Sequence, residues 1–341
     1  MSAAPATERR LIEIIRRTAR KAPGVRLGIG DDCAILEPES GRVLLATTDL
    51  LIEDVHFRRR WATPEDIGWK SLAVNVSDIA SMGGRPRWAL IALACPEGVG
   101  LDEGEAFYAG VLALAREHDV VVVGGDTAAS PRGWIVNITL LGDAAGKPLM
   151  RSTARMGDVI AVTGTVGRSA AGLALLEAAS APAGVADATR LDATSAHLRP
   201  RPRTREGQWL AAAGGVTSMI DLSDGLATDL GHLCEESAVG ARVELDRLPV
   251  SPTVHAIAKA LGADALAWAT GGGEDYELLL TCEPGALDRL ASGLADAMGT
   301  RLTAVGEMTA AGDGIRYLDA GGRAVAIRGG FEHFVTGRAR G

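Results

Sequence analysis

Long apolar runs, paired cysteines and aromatic residues are all scarce in this chain. No uninterrupted apolar stretch approaches the roughly 18–20 residues needed to cross a bilayer. The opening MSAAPATERRLIEIIRR also lacks the apolar core and cleavage site of a secretory signal. A cytoplasmic protein without membrane contact is therefore expected. Cys33, Cys95, Cys234 and Cys282 stand far apart with no C-x-x-C pair, which argues against a zinc site or a disulfide framework. Aromatics make up 4% of the residues, too few for the stacking surfaces that hold single-stranded nucleic acid. The familiar nucleotide signatures are missing too. There is no G-x-x-x-x-G-K-S/T phosphate loop and no kinase set of V-A-I-K, H-R-D and D-F-G. Gly28-Ile29-Gly30 runs into two aspartates rather than a dinucleotide fingerprint, and a phosphate beside Asp31 and Asp32 would be repelled unless a metal intervened.

What the chain does have is apolar mass, glycine and acid. With 341 residues, 47% of them hydrophobic, it exceeds one ordinary core and suits two domains. The 43 glycines fit an α/β protein with tight turns. The formal charge of −8 means that a polyanionic ligand needs a local basic patch or bound cations.

Residues 8–20 read as an amphipathic helix. Val43–Thr48 and Val120–Val123 read as short strands running into aspartates, and Trp88–Ala94 and Trp134–Leu141 as two more strands, the last followed by a turn at Gly142-Asp143. Pro64–Met82 reads as a helix with Trp69, Leu72, Val76 and Ile79 on one side. Ser71, Asn75 and Asp78 form a polar stripe expected to face a site. The pattern restarts at the arginine-bearing MRSTARMGD, which places the domain boundary between 1–147 and 148–341. Beyond it come a strand at Val159–Thr163, a helix after Ser169 and an Ala/Pro-rich stretch at 178–194 expected to be a surface loop or helix end. A strand ending in Asp221, a helix from Ser223 and a strand at Tyr276–Thr281 complete the second half. The basic HLRPRPRTR at 197–205 is short, proline-broken and free of aromatics, so a solvated loop is expected rather than a nucleic-acid surface.

The aspartates carry the chemistry. They fall in Gly30-Asp31-Asp32, Thr47-Thr48-Asp49, the helix stripe at Asp78, Gly124-Gly125-Asp126-Thr127 and Asp221-Leu222-Ser223-Asp224-Gly225, most of them expected at strand ends beside glycine. Each alone reads equally well as a turn or cap residue; five together do not. Two like charges about 4 Å apart repel by about 4 kcal/mol at an effective dielectric near 20, so converging carboxylates need a cation. Oxygen ligands without a histidine–cysteine cluster select magnesium, which binds through one or two carboxylates, waters and phosphate oxygens.

The motifs GIGDDCAIL, TTDLLIEDVHF, KSLAVNVSDIASMGG, GGDT, RSTARMGD, VTGTVGRSAAGL, IDLSDGLATDL and GGEDYELLLT occur in order along nearly the whole chain, from about residue 10 to Phe334. Together they resemble the thiamine-monophosphate kinase family, in the superfamily that includes aminoimidazole ribonucleotide synthetase, selenophosphate synthetase and a hydrogenase maturation factor. The resemblance implies a two-domain α/β fold with mixed sheets and helices on the outer face. It also implies a homodimer and an in-line transfer from ATP to thiamine monophosphate assisted by several Mg²⁺ ions. The acceptor oxygen is already ionised, so no catalytic base is expected.

By the same resemblance the metal ligands are Asp32, Thr47, Thr48, Asp49, Asp78, Asp126, Asp221 and Asp224, with Asp31 instead shaping its turn. The ATP contacts are Tyr108, Gly125, Asp126, Arg151 and Ser223. The substrate contacts are His56, Glu274 and Phe331, of which His56 alone would read as a half-buried core histidine and Glu274 as a loop acid. Two alternatives remain. One is another ATP-dependent enzyme of the superfamily, aminoimidazole ribonucleotide synthetase-like. VHF after the TTD motif and GGEDYEL favour the thiamine enzyme over it, while the cysteine-free N-terminal arm, residues 1–27, and the closing GRARG argue against the selenium and hydrogenase branches. The other is a non-catalytic nucleotide- and metal-binding regulator, which the intact set of aspartates disfavours.

Overall fold

The structure, a computed structural model, describes residues 23–27, 35–36, 38–180, 182–327 and 329–330. The helix read at 8–20, Asp31, Asp32 and Phe331 lie outside these. The chain divides into two compact units. The first runs to Pro148 and includes Leu198–Gln208; the second comprises Leu149–His197 and the chain from Trp209 onward. No helix among the described residues is long and apolar enough to cross a membrane.

In the first unit, β3 (Arg42–Ile52), β4 (Arg85–Pro96), β5 (Val121–Ser130) and β6 (Ile135–Ala145) form a sheet in the order β3-β6-β4-β5. Only the β4–β5 pair is parallel. A short antiparallel pair, β1 (Val25–Leu27) and β2 (Ile35–Leu36), precedes it. Helix α1 (Pro64–Ser81) starts at Thr63, whose side chain and that of Asp66 satisfy each other's backbone N–H groups in a capping box. It packs against α2 (Leu101–Glu117) at glycine contacts: a Cβ on Gly110 would lie 1.9 Å from the Glu65 carbonyl oxygen, and one on Gly68 2.0 Å from that of Phe107. Trp134 and Phe107 fill the space beneath, meeting edge-on at 5.9 Å, while Trp88 is buried on the other side of β4 with Val121, Val123 and Leu141.

Alternation along β3 sends Leu45 and Leu51 to the covered side, along with Thr47 and Asp49, while Leu44, Ala46, Thr48 and Leu50 line an open face. Leu44 is 53% exposed, Leu50 48% and Leu90 37%.

Two expectations are corrected here. Thr47-Thr48-Asp49 and Gly124-Gly125-Asp126 do not end their strands: β3 continues in unbroken register with β6, and β5, after a register shift just before Gly124, stays paired with β4 as far as Ser130. Gly125 lets that pairing continue: a Cβ there would sit 2.0 Å from the Ile91 carbonyl oxygen. Nor is there a turn at Gly142-Asp143. Both lie inside β6, where Arg42, Arg85 and Arg87 surround the fully buried Asp143 carboxylate, Arg87 Nη1 at 2.9 Å.

The segment 197–205 is not a solvated loop either. His197 is buried, Arg199 pairs with Asp66, the Pro200 carbonyl accepts from Trp69 Nε1 at 2.8 Å, and Pro202 is buried. The latter part of the Ala-rich stretch, from Asp187, belongs to a regular helix, Asp187–Leu198.

In the second unit seven strands are ordered β13-β12-β9-β11-β7-β10-β8. They are β7 (Val159–Thr163), β8 (Val216–Asp221), β9 (Val239–Glu244), β10 (Leu278–Cys282), β11 (Leu302–Ala310), β12 (Ile315–Leu318) and β13 (Ala324–Val325). All pairs are antiparallel except β12–β9. Both faces are covered. Ile160, Val162, Ile220 and Leu279 pack with Leu226, Leu230 and Leu233 of the helix Leu226–Ser237. Their neighbours Ala161, Met219, Leu278 and Leu280 pack with Leu290 and Leu294 of the helix Leu287–Met298. This two-sided burial explains why β7 (VIAVT) and β10 (LLLTC) are nearly continuous apolar runs.

Candidate active site

On the covered side of the first sheet, the Thr47 hydroxyl donates to Asp78 Oδ2, joining β3 to the last turns of α1. Asp49 emerges on the same side two residues on. The rest of the polar stripe differs from expectation. Ser71 and Asn75 are fully buried and donate to the carbonyls of Ile67 at 2.7 Å and Ser71 at 3.1 Å, so only Asp78 reaches out of the helix. Asn75 Oδ1 stays a buried acceptor without a hydrogen-bond partner.

Thr48 points to the open face instead. Its Oγ1 lies 3.2 Å from Thr139 Oγ1 and accepts from Asn137 Nδ2 at 3.0 Å, while the same amide nitrogen donates to the Asp49 carbonyl at 3.0 Å. Register carries this polar row onward: Asn137 pairs with Ala92, and Ala92 with Asp126. Asp126 Oδ1 also accepts from the Thr127 N–H at 2.9 Å. The alternation of β3 thus divides the expected ligands between two faces of one sheet. Tyr108 is brought to neither. It is 3% exposed, packed edge-on against Phe107 at 5.2 Å, and burial raises its hydroxyl pKa.

His56 lies in the loop after β3, half-buried. Its Nδ1 accepts from the Ile52 N–H at 3.0 Å, which leaves the proton of the neutral ring on Nε2. Lys70 Nζ donates to the His56 carbonyl at 3.2 Å. An open cleft of about 440 Å³ beside this loop is lined by Glu53, Asp54, Arg58, Arg59 and Arg60.

The second unit gathers its acids more tightly. Asp221 ends β8 and is 1% exposed; Asp224 follows three residues later, and its N–H donates to Asp229 Oδ2 at 3.2 Å. Asp229, in the first turn of the helix Leu226–Ser237, was not singled out by the sequence reading, although it closes the motif LSDGLATD. Burial first, then the charges of Asp221 and Asp224, push its carboxyl up to about 8, against the pull of the Asp224 N–H and the Arg151 guanidinium. Arg151 opens a 3-10 turn, its carbonyl held by Ser237 Oγ at 2.6 Å and Ser218 Oγ at 3.2 Å.

Beside these acids the loop before β10 runs antiparallel to the end of β8: Glu274 N–H donates to Ser223 O at 2.7 Å and Tyr276 N–H to Leu222 O at 2.9 Å. Glu274 therefore lies next to Asp221, Ser223 and Asp224, at φ 67°. The helix here begins at Leu226 rather than Ser223, because Gly225, at φ 102°, caps it.

Among the described residues no three His, Cys, Asp or Glu side chains form a cluster able to hold an ion by themselves. The donors nevertheless fit magnesium. Thr47, Asp49, Asp78 and Asp126 are all hard oxygen ligands. In the second unit burial, and after it the charges of Asp221 and Asp224, raise the Asp229 carboxyl, and a cation beside Asp221 and Asp224 would offset that repulsion. Magnesium completes its shell with waters and phosphate oxygens and needs only one or two carboxylates.

Residues 30–144 match the family described as AIR synthase related protein, N-terminal domain, and residues 155–319 match AIR synthase related protein, C-terminal domain. The chain is 41% identical over 317 residues to the thiamine-monophosphate kinase of Salmonella typhimurium, covering 92% of this chain and 93% of that one. It belongs to the thiamine-monophosphate kinase family.

The family's fold is reproduced in the crystal structure of thiamine-monophosphate kinase from Stenotrophomonas maltophilia K279a. That protein is 37% identical with a TM-score of 0.81, covering 95% of this chain and 99% of that one. AaThiL complexed with AMPPCP and TMP is 33% identical with a TM-score of 0.75, covering 96% and 97%.

Proposed function

We propose that this protein transfers the γ-phosphoryl group of ATP in line to the phosphate of thiamine monophosphate, giving thiamine diphosphate and ADP. The observation that carries this reading is the convergence of Asp221, Asp224 and Asp229 with Arg151 and Glu274 in the second unit of a chain 41% identical to a thiamine-monophosphate kinase. The arrangement suits polyanionic reactants whose charge must be balanced.

In the first unit, Thr47, Asp49 and Asp78 on the covered side of the sheet and Thr48 and Asp126 on its open face would hold magnesium at separate positions, with Asp32 joining them by the resemblance; in the second, Asp221 and Asp224 would do so. Bound magnesium supplies positive charge to two anions that otherwise repel. The remaining work falls to the chain. Arg151 is a fixed cation able to grip phosphate oxygens through its planar fork. Gly125 gives a nucleotide close access to backbone, and Ser223 offers a hydroxyl beside the acids. Tyr108 supports this surface from within the core. His56 presents Nε2–H as a donor, Glu274 accepts from the aminopyrimidine, and Phe331 stacks on the thiamine rings. The acceptor oxygen is ionised at neutral pH, so no side chain has to remove a proton.

The same reading includes a cytoplasmic homodimer formed through the open sheet face, since Leu44, Leu50 and Leu90 form an apolar surface that favours cover. It includes no nucleic-acid partner. The test is a product assay with ATP, Mg²⁺ and, in parallel, thiamine, thiamine monophosphate and an aminoimidazole precursor. Thiamine diphosphate formed from the monophosphate alone is expected; no product from it, under conditions where ATP binds, would refute the assignment.

A further inference from the structure

Four consecutive side chains of the Gly-Gly-Glu-Asp-Tyr-Glu motif are individually anchored in the second unit. Asp275 accepts from the N–H groups of Gly167 at 2.5 Å and Ser169 at 3.0 Å, capping the helix Arg168–Glu177. Tyr276 is buried, and the buried Glu277 accepts from Thr163 Oγ1 at 2.8 Å. Glu274, the one read as a substrate contact, is anchored through a histidine. Its backbone, like that of Tyr276, occupies the left-handed region, uncommon for a residue with a side chain. Its carboxylate is 25% exposed and meets Nδ1 of the buried His197 at 3.2 Å.

The proton positions follow from the partners. A carboxylate only accepts, so the nitrogen facing it must carry the hydrogen. Ser169 Oγ lies 3.0 Å from the same Nδ1 and accepts a share of that hydrogen. Ser169 is in turn held through its N–H by Asp275. The imidazole is therefore a buried, oriented donor to a carboxylate that is itself 25% exposed.

We infer that His197 is a positioning residue for the acceptor substrate: its Nδ1–H fixes the Glu274 carboxylate in the orientation that receives the aminopyrimidine. This rests on the reading of Glu274 as a substrate contact. The sequence reading gave His197 no role, because the ring is 77 positions from its partner and sits at the head of a basic, proline-rich stretch.

The experiment compares two amides at one position, with steady-state kinetics read for each substrate separately. Asn places its side-chain NH₂ near the Nδ1 position of histidine, whereas Gln places it near Nε2. H197Q is expected to raise KM for thiamine monophosphate about tenfold, with KM for ATP within about twofold of the original. H197N keeps the donor and is expected to stay within about threefold. E274Q is expected to raise the same KM, and adding H197Q to it to cost nothing further.

Additive losses in the double variant, or equal losses of affinity for both substrates in H197Q, would overturn the inference. So would a tenfold loss in folded H197N, which keeps the test decisive should H197Q fail to fold. An E274Q enzyme with normal KM would remove the substrate role of Glu274 and the inference with it. Weakened binding in E274Q but not in H197Q would remove the inference alone.

Discussion

The hydroxyl of Thr47 and the carboxylate of Asp78 meet across 31 residues, and their hydrogen bond fixes the end of α1 against β3. The Asp78 carboxylate is thereby oriented before any ligand arrives. T47V should keep the fold and lower turnover by about tenfold or more, through a misplaced Asp78. D78N, D49N and D126N should each abolish turnover while leaving the unfolding midpoint within a few degrees. Near-normal rates in all three would end the case for magnesium at these positions, and turnover that survives chelation by EDTA would do the same.

Asp275 provides a pH signature separate from the proposed ligands. Burial, with the nearby Glu277 charge, pushes its carboxyl up to about 7, against the N–H groups of Ser169 and Gly167 and the charge of Arg168. The folded protein therefore holds a proton that the unfolded chain releases near the ordinary aspartate value of 3.8. Stability contributed by this group is complete below the unfolded pKa and falls as pH rises toward about 7. Urea unfolding at several pH values should show that decline in the wild type and a shallower one in D275N. An unchanged slope would mean that Asp275 is ionised in the folded state.

Gly110 is a strict packing position. A methyl there would press on the Glu65 carbonyl oxygen, which belongs to the first turn of the neighbouring helix and cannot yield without disturbing its capped end. G110A should cost about 1–3 kcal/mol in urea unfolding, despite the better helix propensity of alanine. A neutral or stabilising effect would show that the two helices separate more easily than this contact implies.

Leu44 and Leu50 test the role of the open sheet face. Sedimentation velocity at micromolar concentration should show a dimer for the wild type and a monomer for L44K/L50K. A monomeric wild type would remove the homodimer from the functional reading.

The aspartate motifs were legible from residue types, and their order along the chain disclosed the family. Their setting was harder to read. Gly124-Gly125-Asp126 resembles a strand terminus because glycine usually interrupts strands, yet Gly125 is there to let two backbones come close within a continuing sheet. Ser71 and Asn75 looked like a site-facing stripe because polarity was equated with exposure. Both donate to carbonyls of their own helix and disappear into the core. Asp229 was missed because its importance comes from Asp221 and Asp224 crowding it, and no single position in a sequence carries that information. His197 was overlooked because the arginines and prolines around it suggested solvent, whereas Trp69, Asp66 and Glu65 hold the residues that follow it in place.

The pairing of β3 with β6 also bears on what kind of damage this protein tolerates. Thr47 and Thr48 emerge through opposite sides of one sheet, so sliding the strand by a single residue would exchange them while keeping most ladder bonds. Asp143, gripped by Arg42, Arg85 and Arg87, lies near one end of those strands and acts as an alignment pin. Loss of that pin would surface first as misaddressed side chains in an otherwise folded molecule.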